Sequence, residues 1–336
     1  MPKRHALVSG HRGFIGAHLV SQLRDAGYRV TGVDLGYFDG CEWTTPPSPD
    51  TEWRRDVRAL TPADLDGVDV VCHLAAISND PMGDLDPGLT DAVNRGGTIH
   101  LARVAKAAGV QRFLFASSCS VYGKVDDDAT EDAPLNPLSA YARSKIDAES
   151  QLLALADSSF SPVFLRNATA FGHSPMLRID LVANNLLASA VACGSVRVLT
   201  DGSPWRPLVH CADIARAFVA IADAPRERTH AMALNIGADT MNFRVRDIAE
   251  RVGALVPAAP LSFSDTATTD PRDYRVSFAR FARLFADFRL AYDLDRGLEE
   301  LLGAFRRTGF TQADFDGPRF VRLRTLKARL TPASAS

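Results

Sequence analysis

The sequence predicts a doubly wound α/β fold, a parallel sheet with helices on both faces, followed by a smaller mixed C-terminal domain. Three observations predict it: short apolar runs typical of buried strands, amphipathic helical runs between them, and a glycine-rich turn after the first strand. Strands separated by helices of this length pair in parallel through right-handed crossovers.

The first half of the chain carries the alternation of strand and helix. Its predicted strands are residues 5–9, 29–33, 68–74, 112–117 and 163–166, and its predicted helices are 14–26, 89–108 and 139–157. The later predicted elements are helices at 179–193, 211–222, 243–252 and 298–306 and strands at 196–199 and 231–236. A proline-rich stretch between the second and third strands, residues 40–50, predicts a surface loop.

These elements predict two domains. The first comprises residues 1–166, to which a segment near 208–237 returns. The second comprises residues 167–207 and 238–330. Residues 331–336 are predicted to be a flexible tail.

Composition narrows the class of protein. The 336 residues are 46% hydrophobic and 23% charged, as in ordinary globular proteins, and the net charge of −2 gives no general attraction to nucleic acid or membranes. No apolar run reaches the roughly 18 residues of a membrane helix, and the first residues do not resemble a signal peptide. Five scattered cysteines without a C-x-x-C pair predict neither disulfides nor a metal site. We therefore expect a cytoplasmic protein.

A glycine-rich turn follows the first predicted strand and opens the first predicted helix. Its residues are Gly10, His11, Arg12, Gly13, Phe14, Ile15 and Gly16. A dinucleotide pyrophosphate needs such a turn, because the backbone must approach closely and a helix N-terminus must face the anion. The second strand is followed by Asp34, 18 residues after the last glycine, which matches the acid that binds an adenosine ribose. A carboxylate there repels a 2′-phosphate, so the sequence predicts NAD.

Tyr141 and Lys145 are predicted to form a catalytic pair. Their i, i+4 spacing places both on one helix face, with Cβ atoms about 5–6 Å apart. Because a nearby ammonium stabilises phenolate, we expect Lys145 to lower the pKa of Tyr141 from about 10 toward that of a general base. Only five of the 38 basic residues are lysines. Since the chain uses mainly arginine for positive charge, a lysine at position 145 indicates a specific role. The preceding strand ends at Ser117-Ser118, facing the ligand crevice of such folds. A solvated surface pair, and a turn-capping Ser118, are the alternatives.

Further motifs accompany these residues along the chain. They are Asp56-Val57-Arg58, His73-Leu74-Ala75-Ala76, Asn94 with Gly97-Thr98, Val121-Tyr122-Gly123, Asn184-Asn185-Leu186, Arg206-Pro207-Leu208-Val209-His210 and Arg272-Asp273-Tyr274. Together with the glycine turn and Tyr141-x-x-x-Lys145, they closely resemble the extended short-chain dehydrogenase/reductases, the NAD-dependent nucleotide-sugar epimerases and dehydratases. This resemblance spans most of the chain and implies a Rossmann-type cofactor domain.

The resemblance implies roles for individual residues. Asp56 and Val57 would flank the adenine, and Asn94 would lie near the nicotinamide half. Ser118 would hydrogen-bond the sugar hydroxyl that is oxidised, Tyr141 would take its proton, and Lys145 would anchor the ribose. Other residues implied to line the cofactor site are Leu74, Ala75, Ala76 and Ser117. Those implied to contact the sugar or the diphosphate of the substrate are Ser78, Cys119, Ser120, Thr169, Asn185, Arg206 and Arg272.

The triplet Ser118-Cys119-Ser120 helps to distinguish between the reactions of this family. Similar 4,6-dehydratases carry Asp-Glu where this chain has Cys119 and Ser120, and UDP-glucuronate decarboxylases carry a glutamate at Ser120. A serine hydroxyl is a poor proton acceptor near pH 7, whereas 4-epimerases need neither acid. The resemblance therefore favours an epimerase, with C4 inversion through a transient 4-keto sugar.

Several alternatives stay open. An activated Cys119 thiol could serve a dehydratase, and a 4-ketosugar reductase or a non-catalytic dinucleotide sensor would have the same fold. Thr169 stands where the family usually has asparagine, which places a sugar or diphosphate contact in doubt. The family habit of pairing through two helices, here 89–108 and 139–157, predicts a homodimer.

Overall fold

The computed structural model describes residues 3–78, 80–125, 127–264 and 272–330. The predicted tail 331–336 lies outside the described residues. The strands are β1 (His5–Ser9), β2 (Arg29–Val33), β3 (Thr51–Trp53), β4 (Val70–His73), β5 (Arg112–Ser118), β6 (Ser161–Asn167), β7 (Thr169–Phe171), β8 (Val196–Val198), β9 (Trp205–His210), β10 (Met232–Ile236), β11 (Asn242–Arg244) and β12 (Leu261–Phe263).

The helices follow the same order along the chain. They are α1 (Gly16–Asp25), α2 (Asp80–Gly83), α3 (Pro87–Asp91), α4 (Gly97–Ala107), α5 (Ala140–Leu153), α6 (Val182–Cys193), α7 (Cys211–Asp223), α8 (Val245–Leu255), α9 (Ala279–Leu284), α10 (Leu294–Thr308), α11 (Gln312–Asp316) and α12 (Arg322–Leu330). A π-helical turn, Ala92–Gly96, joins α3 to α4, so the single helix predicted at 89–108 is interrupted.

The main sheet has seven parallel strands in the order β10-β6-β5-β4-β1-β2-β3. The chain runs outward from β1 through β2 to β3 and then returns to the other side of β1 at β4. This reversal opens a crevice at the carboxyl ends of β1 and β4, where ligands bind in open α/β sheets. The predicted doubly wound fold is confirmed.

Side chains of β1 alternate between the two faces of this sheet. Ala6 and Val8 join a core with Leu19 of α1 and Phe218 of α7, whereas Leu7 belongs to a different core. That second core contains buried residues of α4 and α5. Since alternate residues of a strand point to opposite faces, a strand buried on both sides reads as one continuous apolar run. That run made β1 recognisable in the sequence.

A third core lies outside the seven-stranded sheet. It joins α6, α8 and α10 through Leu187, Ile248 and Leu301, all fully buried. Beside it are a three-stranded sheet, β11-β9-β7, with parallel and antiparallel pairs, and the pair β12-β8. The mixed character predicted for the C-terminal region is therefore present, while the domain boundaries stay a prediction.

The sequence interpretation was wrong where strands are very short. The helix predicted at 243–252 begins as β11, in which Phe243 pairs with Arg206 of β9, and only then continues as α8. β3 follows the proline-rich loop and adds an edge strand to the main sheet. Three residues cannot show a period of two, so these strands left no periodic signal.

Candidate active site

A cavity of about 340 Å³ lies at the carboxyl edge of the main sheet. It extends from the glycine turn and the end of β2 past the ends of β4 and β5 to α5. Most of the predicted cofactor residues line it: Gly10, Arg12, Gly13, Phe14, Ile15, Gly16, Asp34, Asp56, Val57, Leu74, Ala75, Ala76, Ser117, Tyr141 and Lys145. The fold thus brings together residues that are up to 135 positions apart in the sequence.

The glycine turn leaves no room for side chains. Gly10 has φ +72°, and a Cβ there would lie 2.7 Å from the backbone nitrogen of Ala75. A Cβ on Gly16 would lie 2.1 Å from the carbonyl oxygen of Gly10. Helix α1 begins at Gly16, and the side chain of Ile15 does not cap it. Residues 13–16 at its N-terminus line the cavity, and this N-terminus has no side-chain cap from Ile15, as suits a site for a pyrophosphate.

Asp34 lies beside this turn and shapes it. Its carboxylate accepts hydrogen bonds from the backbone N–H of Gly36 at 2.8 Å and of Arg12 at 3.2 Å. The Arg12 guanidinium is bound to three other carboxylates, those of Asp39, Glu42 and Glu52. Because its charge is neutralised there, Arg12 contributes backbone to the site and its side chain is poorly placed to bind a 2′-phosphate.

The end of the cavity that is predicted to hold the adenine contains Asp56 and Val57. Asp56 accepts the backbone N–H of Arg58 at 2.8 Å and binds its guanidinium. These hydrogen bonds from Arg58 hold the pKa of Asp56 below its usual range. Val57 is buried and presents an apolar surface to the cavity, which suits one face of a flat aromatic ring.

The three predicted catalytic residues meet at the end of β5. The Ser118 side chain lies near Tyr141 and favours its ionised form, and the Lys145 ammonium lies 5.6 Å from the centre of the Tyr141 ring. Lys145 also donates to the carbonyl of Ala116 at 2.7 Å. Lys145 is buried and Tyr141 is half-buried in the cavity wall, so a solvated surface pair is the wrong interpretation.

The pKa values of this pair differ from the sequence expectation. Burial is the main cause, and the charge of Asp80 the second, of a rise in the pKa of Tyr141 to about 12, which the nearby Ser118 side chain opposes. Burial also lowers the pKa of Lys145 to about 7, opposed by Glu149. In the protein alone, the pKa of Tyr141 is therefore raised by desolvation, and the lowering expected from Lys145 is not found.

Helix α5 is held against the sheet by a buried ion pair. Glu149 of α5 binds Arg166 of β6, with a shortest N–O distance of 2.7 Å, and accepts a hydrogen bond from the Ser117 hydroxyl. Ser139 caps the helix by accepting the N–H of Ala142 at 3.1 Å. These contacts fix where Tyr141 and Lys145 lie relative to β5. Neither Glu149 nor Arg166 was predicted from the sequence to have this role.

Four predicted site residues lie outside the cavity lining. Cys119 is fully buried, its thiol donates to the Arg166 carbonyl at 3.1 Å, and burial raises the thiol pKa. The Asn94 amide binds both backbone groups of Ile77 and so orders the loop after β4. The other two bind backbone carbonyls: Asn185 that of Ile179, and Arg206 those of Trp205 and Arg272.

The other predicted substrate residues do line the cavity: Ser78, Ser118, Ser120, Thr169 and Arg272. The buried Ser120 hydroxyl has no hydrogen-bond partner among the described residues. Arg272 is ion-paired with Asp80. An unpaired hydroxyl in a cavity wall is suited to binding a polar ligand, since buried polar groups are normally hydrogen-bonded.

The structure adds two arginines that sequence reasoning missed. Arg178 lies in the cavity wall, is ion-paired with Asp180 at 2.7 Å, and has Nη1 3.3 Å from the Ser78 carbonyl. Arg322 reaches the same wall from α12, near the end of the described chain. Neither belongs to a motif or a periodic pattern, so only the tertiary fold reveals them.

Comparisons with known proteins agree with this geometry. The family described as "NAD dependent epimerase/dehydratase family" matches residues 6–237. A UDP-glucose 4-epimerase of Bacillus subtilis is 27% identical over 335 residues, covering 88% of this chain and 94% of the relative. The solved structure of MoeE5 with UDP-glucuronic acid and NAD has a TM-score of 0.79 at 29% identity, covering 90% of this chain and 99% of that chain.

A second solved structure is that of TunA, an NAD-dependent NDP-hexosamine 5,6-dehydratase involved in tunicamycin biosynthesis. Its TM-score is 0.81 at 25% identity, and the match covers 91% of this chain and 98% of TunA. The fold and the site thus define a nucleotide-binding enzyme of the short-chain dehydrogenase/reductase type. This chain belongs to the NAD-dependent epimerase/dehydratase family, and NAD is its cofactor.

The residues present fit NAD. The glycine turn would hold its pyrophosphate, Asp34 its adenosine ribose and Lys145 its second ribose. Among the described residues, no group of three or more His, Cys, Asp and Glu side chains could hold a metal ion. None of the described helices is long and apolar enough to cross a bilayer.

Asp34 is expected to select NAD over NADP. Replacing Asp34 with Ala removes an acceptor for the ribose and two hydrogen bonds of the turn, so the Kd for NAD should rise about tenfold. Asp34→Asn is the matched control, because it keeps an acceptor and removes only the charge; its NADP affinity should improve relative to NAD. Isothermal titration with both dinucleotides measures this, and an unchanged NAD:NADP preference in both variants would contradict the assigned role.

Proposed function

We propose that the protein is a nucleotide-sugar 4-epimerase that inverts C4 of a nucleoside-diphosphate sugar through a transient 4-keto sugar. The observation that carries the proposal is that Ser118, Tyr141 and Lys145 line the same part of the cavity, beside Ser120. This set can remove and return a proton at a sugar hydroxyl. The serine at position 120 does not supply the second acid or base that an elimination needs.

Each residue has a distinct task in this proposal. Ser118 holds the C4 hydroxyl, and Tyr141 takes its proton as the sugar is oxidised and returns it after the sugar has turned over. NAD supplies a reversible hydride acceptor. Lys145, whose ammonium lies 5.6 Å from the Tyr141 ring, is the cation that would stabilise the phenolate in its charged form. Since oxidation and reduction cancel, turnover needs no added cofactor.

The main alternative function is that of a dehydratase that uses Cys119, and the similarity to the dehydratase TunA supports this alternative. The geometry favours the epimerase, because the Cys119 thiol is in the core and donates to a carbonyl of β6. Burial raises its pKa, which makes it a poorer source of thiolate. Asp80, a carboxylate in the cavity wall, is bound to Arg272 and to the Ser139 hydroxyl.

Cys119 is therefore expected to be dispensable for the reaction. Replacing it with Ala removes one methylene-sized group and a weak hydrogen bond, so kcat should fall by no more than about threefold. The control is Cys72→Ala, a change at another fully buried thiol, which corrects for any loss of packing. A fall of about 100-fold in kcat for Cys119→Ala alone would instead indicate acid–base chemistry at the thiol.

The proposed function is tested with the purified protein and no added cofactor. UDP-, dTDP-, GDP-, ADP- and CDP-sugars, including both neutral hexoses and uronic acids, are incubated separately and followed by proton NMR. We expect inversion of one ring proton with unchanged mass and many turnovers. A 4-keto-6-deoxy product would establish a dehydratase, and stoichiometric reduction of a 4-ketosugar by NADH would establish a reductase. Failure of the whole panel would favour a sensor.

A further inference from the structure

Arg322 is a buried cation that the proposed reaction does not use. It is the first residue of α12 and is 3% exposed, yet it lines the cavity. Its Nη2 donates to the Met176 carbonyl at 3.1 Å, and its guanidinium lies 4.6 Å from the centre of the Phe38 ring. Its Nη1 is buried without a hydrogen-bond partner among the described residues.

The unpaired Nη1 of Arg322 is suited to binding an anionic ligand. Buried polar groups in folded proteins are almost always hydrogen-bonded, and an unpaired N–H on a guanidinium is especially unfavourable. The neighbouring carboxylate, Asp180, is bound twice by Arg178. A planar guanidinium in a cavity wall is well suited to the oxygens of a phosphate.

Hydrogen bonds connect Arg322 to the glycine turn. The Ser174 hydroxyl donates to the Phe14 carbonyl at 2.8 Å and accepts the Met176 N–H at 3.2 Å. The Met176 carbonyl is the group that binds Arg322. Phe14 lies in the turn that opens α1, so this chain of contacts brings the arginine to the same end of the cavity as the helix N-terminus.

Two ligands of this site carry a diphosphate, NAD and the sugar nucleotide. The contacts of Arg322 favour NAD, because Phe38 is in the loop that follows Asp34, the residue for the adenosine ribose. We propose that Arg322 binds the diphosphate of NAD opposite the N-terminus of α1, which makes α12 part of the cofactor site. This inference rests on NAD binding and is independent of which reaction the protein catalyses.

The C-terminal end of α12 also binds the loop after β2. Arg329 donates to the carbonyls of Gly36, Tyr37 and Asp39. Leu326, between the two arginines, lines the cavity. A diphosphate bound to Arg322 would therefore hold both the helix and the loop, so NAD should strengthen the docking of α12 and α12 should slow the release of NAD.

The test measures NAD binding directly. Protein stripped of NAD is titrated calorimetrically with NAD and, separately, with UDP. For Arg322→Met we expect the Kd for NAD to rise at least tenfold while the Kd for UDP stays within twofold, and Arg322→Lys should recover part of the loss. Arg324→Met is the matched control, since Arg324 lies on the same helix but binds exposed carbonyls of residues 315–317.

Two results would overturn the proposal. A loss of UDP affinity with unchanged NAD affinity would assign Arg322 to the sugar nucleotide, and unchanged affinity for both would remove it from phosphate binding. If Arg322→Met does not fold, hydrogen exchange of the wild-type protein decides the question. NAD should slow exchange of the α12 amides by tenfold or more, whereas equal rates with and without NAD would count against a bound diphosphate at this helix.

Discussion

Replacing Tyr141 with Phe should lower kcat about 1000-fold or more while leaving binding of the nucleotide sugar within about twofold. The change removes only a hydroxyl, so the shape of the cavity is kept, but the proton of the C4 hydroxyl then has no acceptor. General base catalysis contributes about 10²–10⁴-fold to enzymatic rates. Turnover is measured by NMR, and binding of the nucleotide sugar by titration.

The matched control is Tyr292→Phe. Tyr292 stacks on His210 and donates its hydroxyl to Glu300, away from the cavity lining. Its loss should leave kcat within about threefold. Near-normal turnover in Tyr141→Phe would remove the phenol from the mechanism and, with it, the proposed epimerase chemistry.

Replacing Lys145 with Met should lower activity about 100-fold or more and yet stabilise the NAD-free protein. The ammonium is buried, and burial lowers its pKa from 10.5 to about 7, which means that the folded state disfavours the charge. Methionine fills a similar volume without a charge, but it cannot donate a hydrogen bond to the Ala116 carbonyl. We expect a net gain of about 1–3 kcal/mol in the free energy of unfolding at pH 6.

The gain in the free energy of unfolding of Lys145→Met should decrease as the pH rises. Below pH 7 the lysine is charged in both the folded and unfolded states, so the full cost of burial is present. Between pH 7 and 10.5 only the unfolded state binds the proton, so wild-type stability rises and the advantage of Lys145→Met shrinks. Urea unfolding at pH 6 and pH 9 measures this.

The control for Lys145 is Lys106→Met. Lys106 also donates to a carbonyl, that of Leu155 at 2.8 Å, but it is partly exposed and ion-paired with Asp157. Its replacement should not stabilise the protein at either pH. Equal effects of the two substitutions would show that burial of the charge at Lys145 costs nothing.

The sequence was informative where a local pattern determines local structure. The glycine turn, Asp34 and the pair Tyr141 and Lys145 were each predicted from spacing and placed on the correct elements. The carboxyl ends of parallel strands meet at one edge of a sheet, so predicting a parallel sheet was enough to bring these residues to a common edge.

The direction in which a side chain points, and the contacts made by distant elements, could not be predicted from local patterns. Cys119 follows Ser118 directly but faces the core, because it begins a 3₁₀ turn in which the Ser118 side chain accepts the Ser120 N–H. Arg322 reaches the cavity only because α12 folds back over the loop after β2. The pKa of Tyr141 depends on its burial, which no spacing reveals.

Some expectations stay predictions. The homodimer through the faces of α4 and α5 is one, and the domain boundaries near residues 166, 208 and 237 are another. Size-exclusion chromatography with light scattering measures the first.

Inversion by the proposed route removes the C4 hydrogen of the sugar and returns the same hydrogen to the opposite face. We expect this to be visible in D₂O, with the purified protein, no added NAD and the sugar nucleotide identified by the panel. The product should be an epimer whose C4 hydrogen has not exchanged with solvent and whose mass, measured after return to H₂O, is unchanged. Deuterium at C4 of the product would show that the hydrogen leaves as a proton, and loss of water would show a dehydratase; neither result is compatible with the proposed 4-epimerase.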